Sequence, residues 1–82
     1  MSEPNVLADV GEILVSLRSR LGFDIEYAAD IAHLDAERLA EAEAGEIALG
    51  ESELRGLAEA YGVAVTAFFG GRTTPLSYLA GA

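Results

Sequence analysis

The 82-residue sequence has no cysteine, no tryptophan and no lysine. Without cysteine it forms neither disulfides nor thiolate metal sites, a composition that fits a reducing cytosol. No apolar run approaches the length of a membrane span, and the opening MSEPNV lacks the basic start of a signal peptide. A cytoplasmic location with no membrane partner is expected. Positive charge is scarce: Arg18, Arg20, Arg38, Arg55 and Arg72 oppose 14 acidic residues, for a net charge of −9. Such a chain is soluble and repels anionic partners, nucleic acid and acidic membranes alike.

The chemistry of catalysis is equally thin. His33 is the sole histidine, and a lone histidine without a ligand cluster reads as a turn residue rather than a metal ligand. Carboxylates are abundant, but nothing implies an aromatic-lined cleft that would shift their pKa values. Gly70-Gly71-Arg72 is too short for a phosphate-binding loop. No enzymatic activity, metal or cofactor is expected. An acidic helical chain of this length also suggests an acyl carrier protein, which needs a serine at a helix start for its prosthetic arm. The corresponding positions read Leu34-Asp35-Ala36, and Glu51-Ser52-Glu53 lacks the pattern, so the carrier reading is discarded.

What is present is helical patterning. Just over half the residues are apolar (51%), enough for one domain with a small core. The organising stretch is Asp24 to Gly45. Ile25, Ala28, Ala29 and Ala32 form one apolar stripe at helical spacing, and Leu39 and Ala42 form a second. Asp24 and Asp35 are N-cap residues, whose carboxylates accept free N–H groups of the first helical turn. Gly45 can close the second helix in the left-handed conformation. The result is helix, short turn, helix, with small residues where two helices cross closely.

On either side the pattern continues. Val6, Val10, Ile13, Leu14, Leu17 and Leu21 recur at helical spacing, with Arg18 and Arg20 in the last turn, where positive charge meets the negative helix end. Ile47 and Leu49 turn inward from a loop. Leu54, Leu57, Ala58 and Tyr61 then share a face, and Val63 and Val65 lead to Phe68 and Phe69. Helices are expected near residues 5–21, 24–32, 35–44, 51–61 and 65–69, with no internal repeat. Phe68 and Phe69 are expected to cover the bottom of the core; two adjacent aromatics cannot face the same way, so one of them is the candidate for exposure to a partner. A domain over residues 1–71 is followed by a C-terminal arm, 72–82, in which Thr74-Pro75 signals a further helix start.

The order Gly11, Ile13, Leu17-Arg18, Gly22, Ala28-Ala29, Leu34-Asp35, Leu39, Glu43-Ala44-Gly45, Leu54, Leu57-Ala58, Tyr61-Gly62-Val63 and Phe68 resembles the Cro/repressor-type helix-turn-helix family, also called XRE. The similarity spans about residues 10–69. It implies an all-α, compact five-helix, lambda-repressor-like domain that commonly dimerises. Such domains regulate transcription by placing the third helix in the DNA major groove. Arg18 and Glu43 match a pair that in the family usually bridges the first and third helices; phosphate binding by Arg18 is the weaker alternative. The DNA-contact positions correspond to Ala36, Glu37, Arg38, Ala40 and Glu41.

Those positions depart from the family. They are mostly alanine or glutamate where serine, arginine, asparagine, glutamine or lysine is usual. Ile25 stands where a phosphate-touching glutamine is usual, Ala28 where leucine is, His33 where glycine is, and Leu49 where proline is frequent. From Asp24 to Gly45 the acidic residues are Asp24, Glu26, Asp30, Asp35, Glu37, Glu41 and Glu43, and the only basic one is Arg38. DNA affinity comes largely from lysine and arginine displacing counterions at phosphates, so this balance has the wrong sign. Glu37 or Glu41 could accept from cytosine N4, but base reading still needs phosphate contacts to hold the helix in the groove. Arg38 has two readings of equal weight, a DNA contact or an intrahelical pair with Glu41 or Asp35. Tyr27 reads as a half-buried helix residue, with a DNA or partner contact as the alternative.

The sequence therefore leads to an XRE-type regulator-like protein with weak or context-dependent DNA binding. The alternative is a protein-interaction module, a dimerisation, antitoxin-like or antirepressor partner that keeps the fold without the DNA-binding face. A homodimer is expected, with Phe68, Phe69, Leu76, Tyr78 and Leu79 as contacts. In the alternative arrangement the arm folds back on its own domain.

Overall fold

The computed structural model describes residues 6–71 together with Tyr78. Its elements, in order, are α1 (Val6–Leu21), α2 (Ile25–Ile31), α3 (Ala36–Glu43), α4 (Glu51–Tyr61) and a 3-10 helix (Val65–Phe69). No strand occurs among the described residues. The all-helical expectation holds, with one difference: the fifth element is 3-10, not α. Its five residues are closed by Gly70 in the left-handed conformation, and the Ala67 N–H reaches only to Ala64 O, three residues back, at 2.9 Å. A run this short, with β-branched Val65 and Thr66, favours the tighter turn.

The caps account for the helix boundaries. Asp24 accepts from the Tyr27 N–H at 2.8 Å, and Asp35 from the Glu37 N–H at 2.8 Å. Both aspartates stand just outside the helices in extended backbone. At the other ends Ala32 and Ala44 are C-caps. Between α2 and α3, His33 has φ 60°, the one non-glycine residue with positive φ among those described. The turn demands a left-handed residue, and a side chain there carries strain. That is the physical meaning of a histidine where glycine is usual.

Small residues set the packing. α1 lies on α3, and α2 on both α3 and α4. Gly11 allows the first crossing: a Cβ at that position would stand 2.5 Å from Glu43 O. Gly56 allows the α2–α4 approach, where a Cβ would stand 2.6 Å from Ala32 O. In both places the obstacle is backbone, which cannot step aside. Ala28, Ala29, Ala32 and Ala42 fill the space between helices, while Leu14, Leu39, Leu54, Leu57 and Phe68 supply the volume. Ala48 and Leu49 of the α3–α4 loop are buried with them, and Ile47 is partly buried.

The C-terminal aromatic group covers the core as expected, without the exposure of one phenylalanine that adjacency allowed. Neither Phe68 nor Phe69 is exposed. Phe68 meets Tyr61 edge-on with ring centroids 6.4 Å apart, and Phe69 meets Tyr78 at 5.3 Å. The two rings do point different ways, as a 3-10 turn requires, but Tyr78 returns to cover the second. Tyr78 is only 1% exposed, and its hydroxyl accepts from the Leu49 N–H at 2.8 Å. Of the expected dimer contacts, Phe68, Phe69 and Tyr78 are thus taken up inside their own chain. Leu76, Leu79 and the Thr74-Pro75 start lie outside the described residues.

Candidate nucleic-acid interface

α2, the turn at His33 and α3 form the helix-turn-helix unit. Two polar networks fix it to the rest of the domain. In the first, Arg18 of α1 donates through Nε to Glu43 Oε2 at 2.7 Å and through Nη2 to Glu43 Oε1 at 3.0 Å, while Nη1 reaches Phe23 O at 2.9 Å. One guanidinium therefore ties α1 to the end of α3 and to the turn before α2. The pair is largely buried, with side-chain exposures of 19% and 7%. The hydrogen bond to Glu43 raises the Arg18 pKa above its ordinary value, against the effect of burial. These contacts leave Arg18 a structural role rather than a phosphate-binding one.

Tyr61 sits beside this network. Its hydroxyl is buried and has no hydrogen-bond partner among the described residues. Burial pushes its pKa up to about 12, the Glu43 charge adding to the effect. Phe23 bridges outward from here. Its ring lies 6.2 Å from Tyr61 and 5.0 Å from Tyr27. Tyr27 is half exposed, as an amphipathic helix residue with one covered face.

The second network involves α3 itself. Arg38 does not pair with Glu41 or Asp35. It donates to Glu53 of α4, through Nε to Oε2 at 2.7 Å and through Nη2 to Oε1 at 2.8 Å. Glu53 Oε1 also accepts from the Gly50 N–H at 2.9 Å, serving the start of α4. The bond from Arg38 holds the Glu53 carboxyl below the usual glutamate range, and the Arg38 pKa is raised in turn. No local spacing in the sequence links Glu53 to Arg38. The two are 15 positions apart and on different helices.

The remaining candidate DNA contacts fall into two groups. Glu37, Ala40 and Glu41 are exposed on α3. Ala36 is partly buried against the core, so it offers little to a ligand. Ile25, at the start of α2, is also packed against the core. α2 and α3 contain no arginine besides Arg38; the other described arginines, Arg18, Arg20 and Arg55, lie on α1 and α4. Among the described residues no group of three or more His, Cys, Asp or Glu side chains is placed to hold a metal. No described helix is long and apolar enough to cross a membrane.

A solved structure with the same arrangement is that of the restriction-modification controller protein C.AhdI from Aeromonas hydrophila. It superposes with a TM-score of 0.75 at 25% sequence identity, covering 77% of this chain and 96% of that one. The fold is that of the Cro/repressor-type helix-turn-helix domain. By sequence comparison, no family model and no curated protein matches the chain. In DNA-binding helix-turn-helix proteins the second helix of the unit enters the major groove, and its N-terminal residues meet base edges; α3 occupies that place in this fold. Here those residues are Ala36, Glu37 and Arg38, and the one cation among them is already engaged.

Proposed function

We propose that this chain is a transcription-regulator-like helix-turn-helix protein whose own hold on DNA is weak and dependent on context. The observation that supports the reading is the surface of α3. Its exposed side chains include Glu37, Ala40 and Glu41, and its one exposed cation, Arg38, is paired with Glu53. The fold supplies a helix of the right kind, and the likeness to a restriction-modification controller protein supports a regulatory role. The charge withholds the phosphate contacts that give such a helix most of its affinity. Fluorescence anisotropy with a generic duplex at low salt tests this. Weak or absent binding agrees with the reading, and tight, salt-tolerant binding would end it.

A second reading, a protein-interaction module that keeps the fold alone, is favoured by the same excess of acidic residues over the helix-turn-helix unit. Either reading includes a homodimer, as the resemblance implies. Phe68, Phe69 and Tyr78 are buried within the domain, which leaves Leu76 and Leu79 as the proposed contact residues. A dimer's melting temperature rises with protein concentration, and a monomer's does not. The expected result is a rise across the micromolar range. Sedimentation as a monomer at tens of micromolar would remove the dimer from the account.

A further inference from the structure

Resting on the regulator reading above, we infer that Glu53 sets the DNA affinity of α3 by occupying Arg38. Arg38 is the third residue of α3, within the turn that meets DNA in a helix-turn-helix. A cation in the first turn of a helix faces the positive end of the helix dipole and is poorly placed unless an anion answers it. Asp35 and Glu37 already serve that helix end, with Asp35 as the cap. The Arg38 side chain turns instead to the next helix. It meets Glu53 side-on, with both carboxylate oxygens engaged at 2.7 and 2.8 Å.

Glu53 is fixed independently of Arg38. It stands in the first turn of α4, and its Oε1 accepts from the Gly50 N–H. The carboxylate is thus held in place by the α4 start, and the arginine comes to it. The pair lies at the surface, with side-chain exposures of 46% and 25%. A phosphate arriving at α3 therefore meets a guanidinium whose charge is cancelled and whose Nε and Nη2 edge is taken. Glu53 lies outside α3 and is a positioning residue that acts through Arg38.

Glu53→Gln isolates this effect. The carboxamide oxygen can still accept from Gly50, so the start of α4 keeps its bond while Arg38 loses its counter-charge. Removing any one acidic residue weakens general repulsion, so Glu51→Gln, one charge lost from the same helix turn, is the control. Binding to a generic duplex is measured for the wild type, both variants and Glu53→Gln with Arg38→Ala, after a circular dichroism melt of each. If Glu53→Gln melts below the assay temperature, all variants are compared at a lower temperature at which each is folded. The expected result is affinity about 3- to 10-fold above that of Glu51→Gln at 50 mM salt. The slope of log affinity against log salt should steepen by about 0.9, one added phosphate contact, and Arg38→Ala should abolish the gain. Equal affinities for Glu53→Gln and Glu51→Gln overturn the inference, as when Glu41 or Asp35 captures the freed arginine. So does a gain that survives Arg38→Ala. A wild type that binds tightly would instead remove the regulator reading's weak DNA face, so the two failures are distinguishable.

Discussion

Glu43→Ala is expected to lower stability by about 3–5 kcal/mol, because it leaves a largely buried guanidinium without its partner. Arg18 makes three hydrogen bonds, two of them to Glu43. Removing the carboxylate leaves only the bond to Phe23 O, too little to balance a charge taken out of water. For a domain of this size such a loss lowers the melting temperature by more than roughly 12 °C. Glu41→Ala removes the same chemical group two residues earlier on the exposed side of α3, and should change stability by less than about 0.5 kcal/mol. Thermal melts of the two variants side by side check the claim. Equal melting temperatures would show that the Arg18–Glu43 link does not hold α1 to α3. A further expectation separates charge from shape. Arg18→Met combined with Glu43→Leu should recover most of the loss, because neither charge then remains buried alone.

Tyr78→Ala should be of similar size, about 3–5 kcal/mol, as for other large aromatic truncations in a core. Tyr78 is among the largest fully buried side chains and covers Phe69. It also contributes through its hydroxyl, which accepts from Leu49 N–H in the α3–α4 loop. Tyr78→Phe keeps the ring and loses only that acceptor, leaving a buried backbone N–H unpaired at a cost of about 1–3 kcal/mol. Tyr61→Phe is the internal control. The Tyr61 hydroxyl is buried without a partner among the described residues, so its removal should leave the melting temperature unchanged or slightly raised. If Tyr78→Phe and Tyr61→Phe melt alike, the Tyr78–Leu49 bond contributes nothing to stability.

The contrast between these tyrosines marks what a sequence makes legible. Helix positions and ends were readable because their causes are local. The apolar stripes of α1 and α4 lie within single helices, and Asp24 and Asp35 cap the turns directly after them. The 3-10 geometry of Val65–Phe69 was less so, because a short run carries no periodicity long enough to separate the two helix types. Burial of Phe69 depends on Tyr78, nine residues along, whose return no pattern announces. Ala36 carries the family's DNA-contact position, yet packing has drawn it partly into the core. At the interface the net charge was plain from composition, and Arg38 stood out as the one cation between Asp24 and Gly45. Its partner was not plain. Intrahelical spacing points to Glu41 or Asp35, and the bidentate geometry offered by Glu53 wins only once α4 is folded against the helix-turn-helix unit.

By the proposed reading, this helix-turn-helix carries too little accessible positive charge to hold DNA strongly by itself. The most direct test is the affinity of the full chain for a generic duplex over a range of salt concentrations. Each phosphate neutralised adds about −0.9 to the slope of log affinity against log salt. The expected result is weak binding that salt abolishes, or none, with any measurable slope shallower than about −4. A slope steeper than that would mean four or more phosphate contacts, and would contradict it.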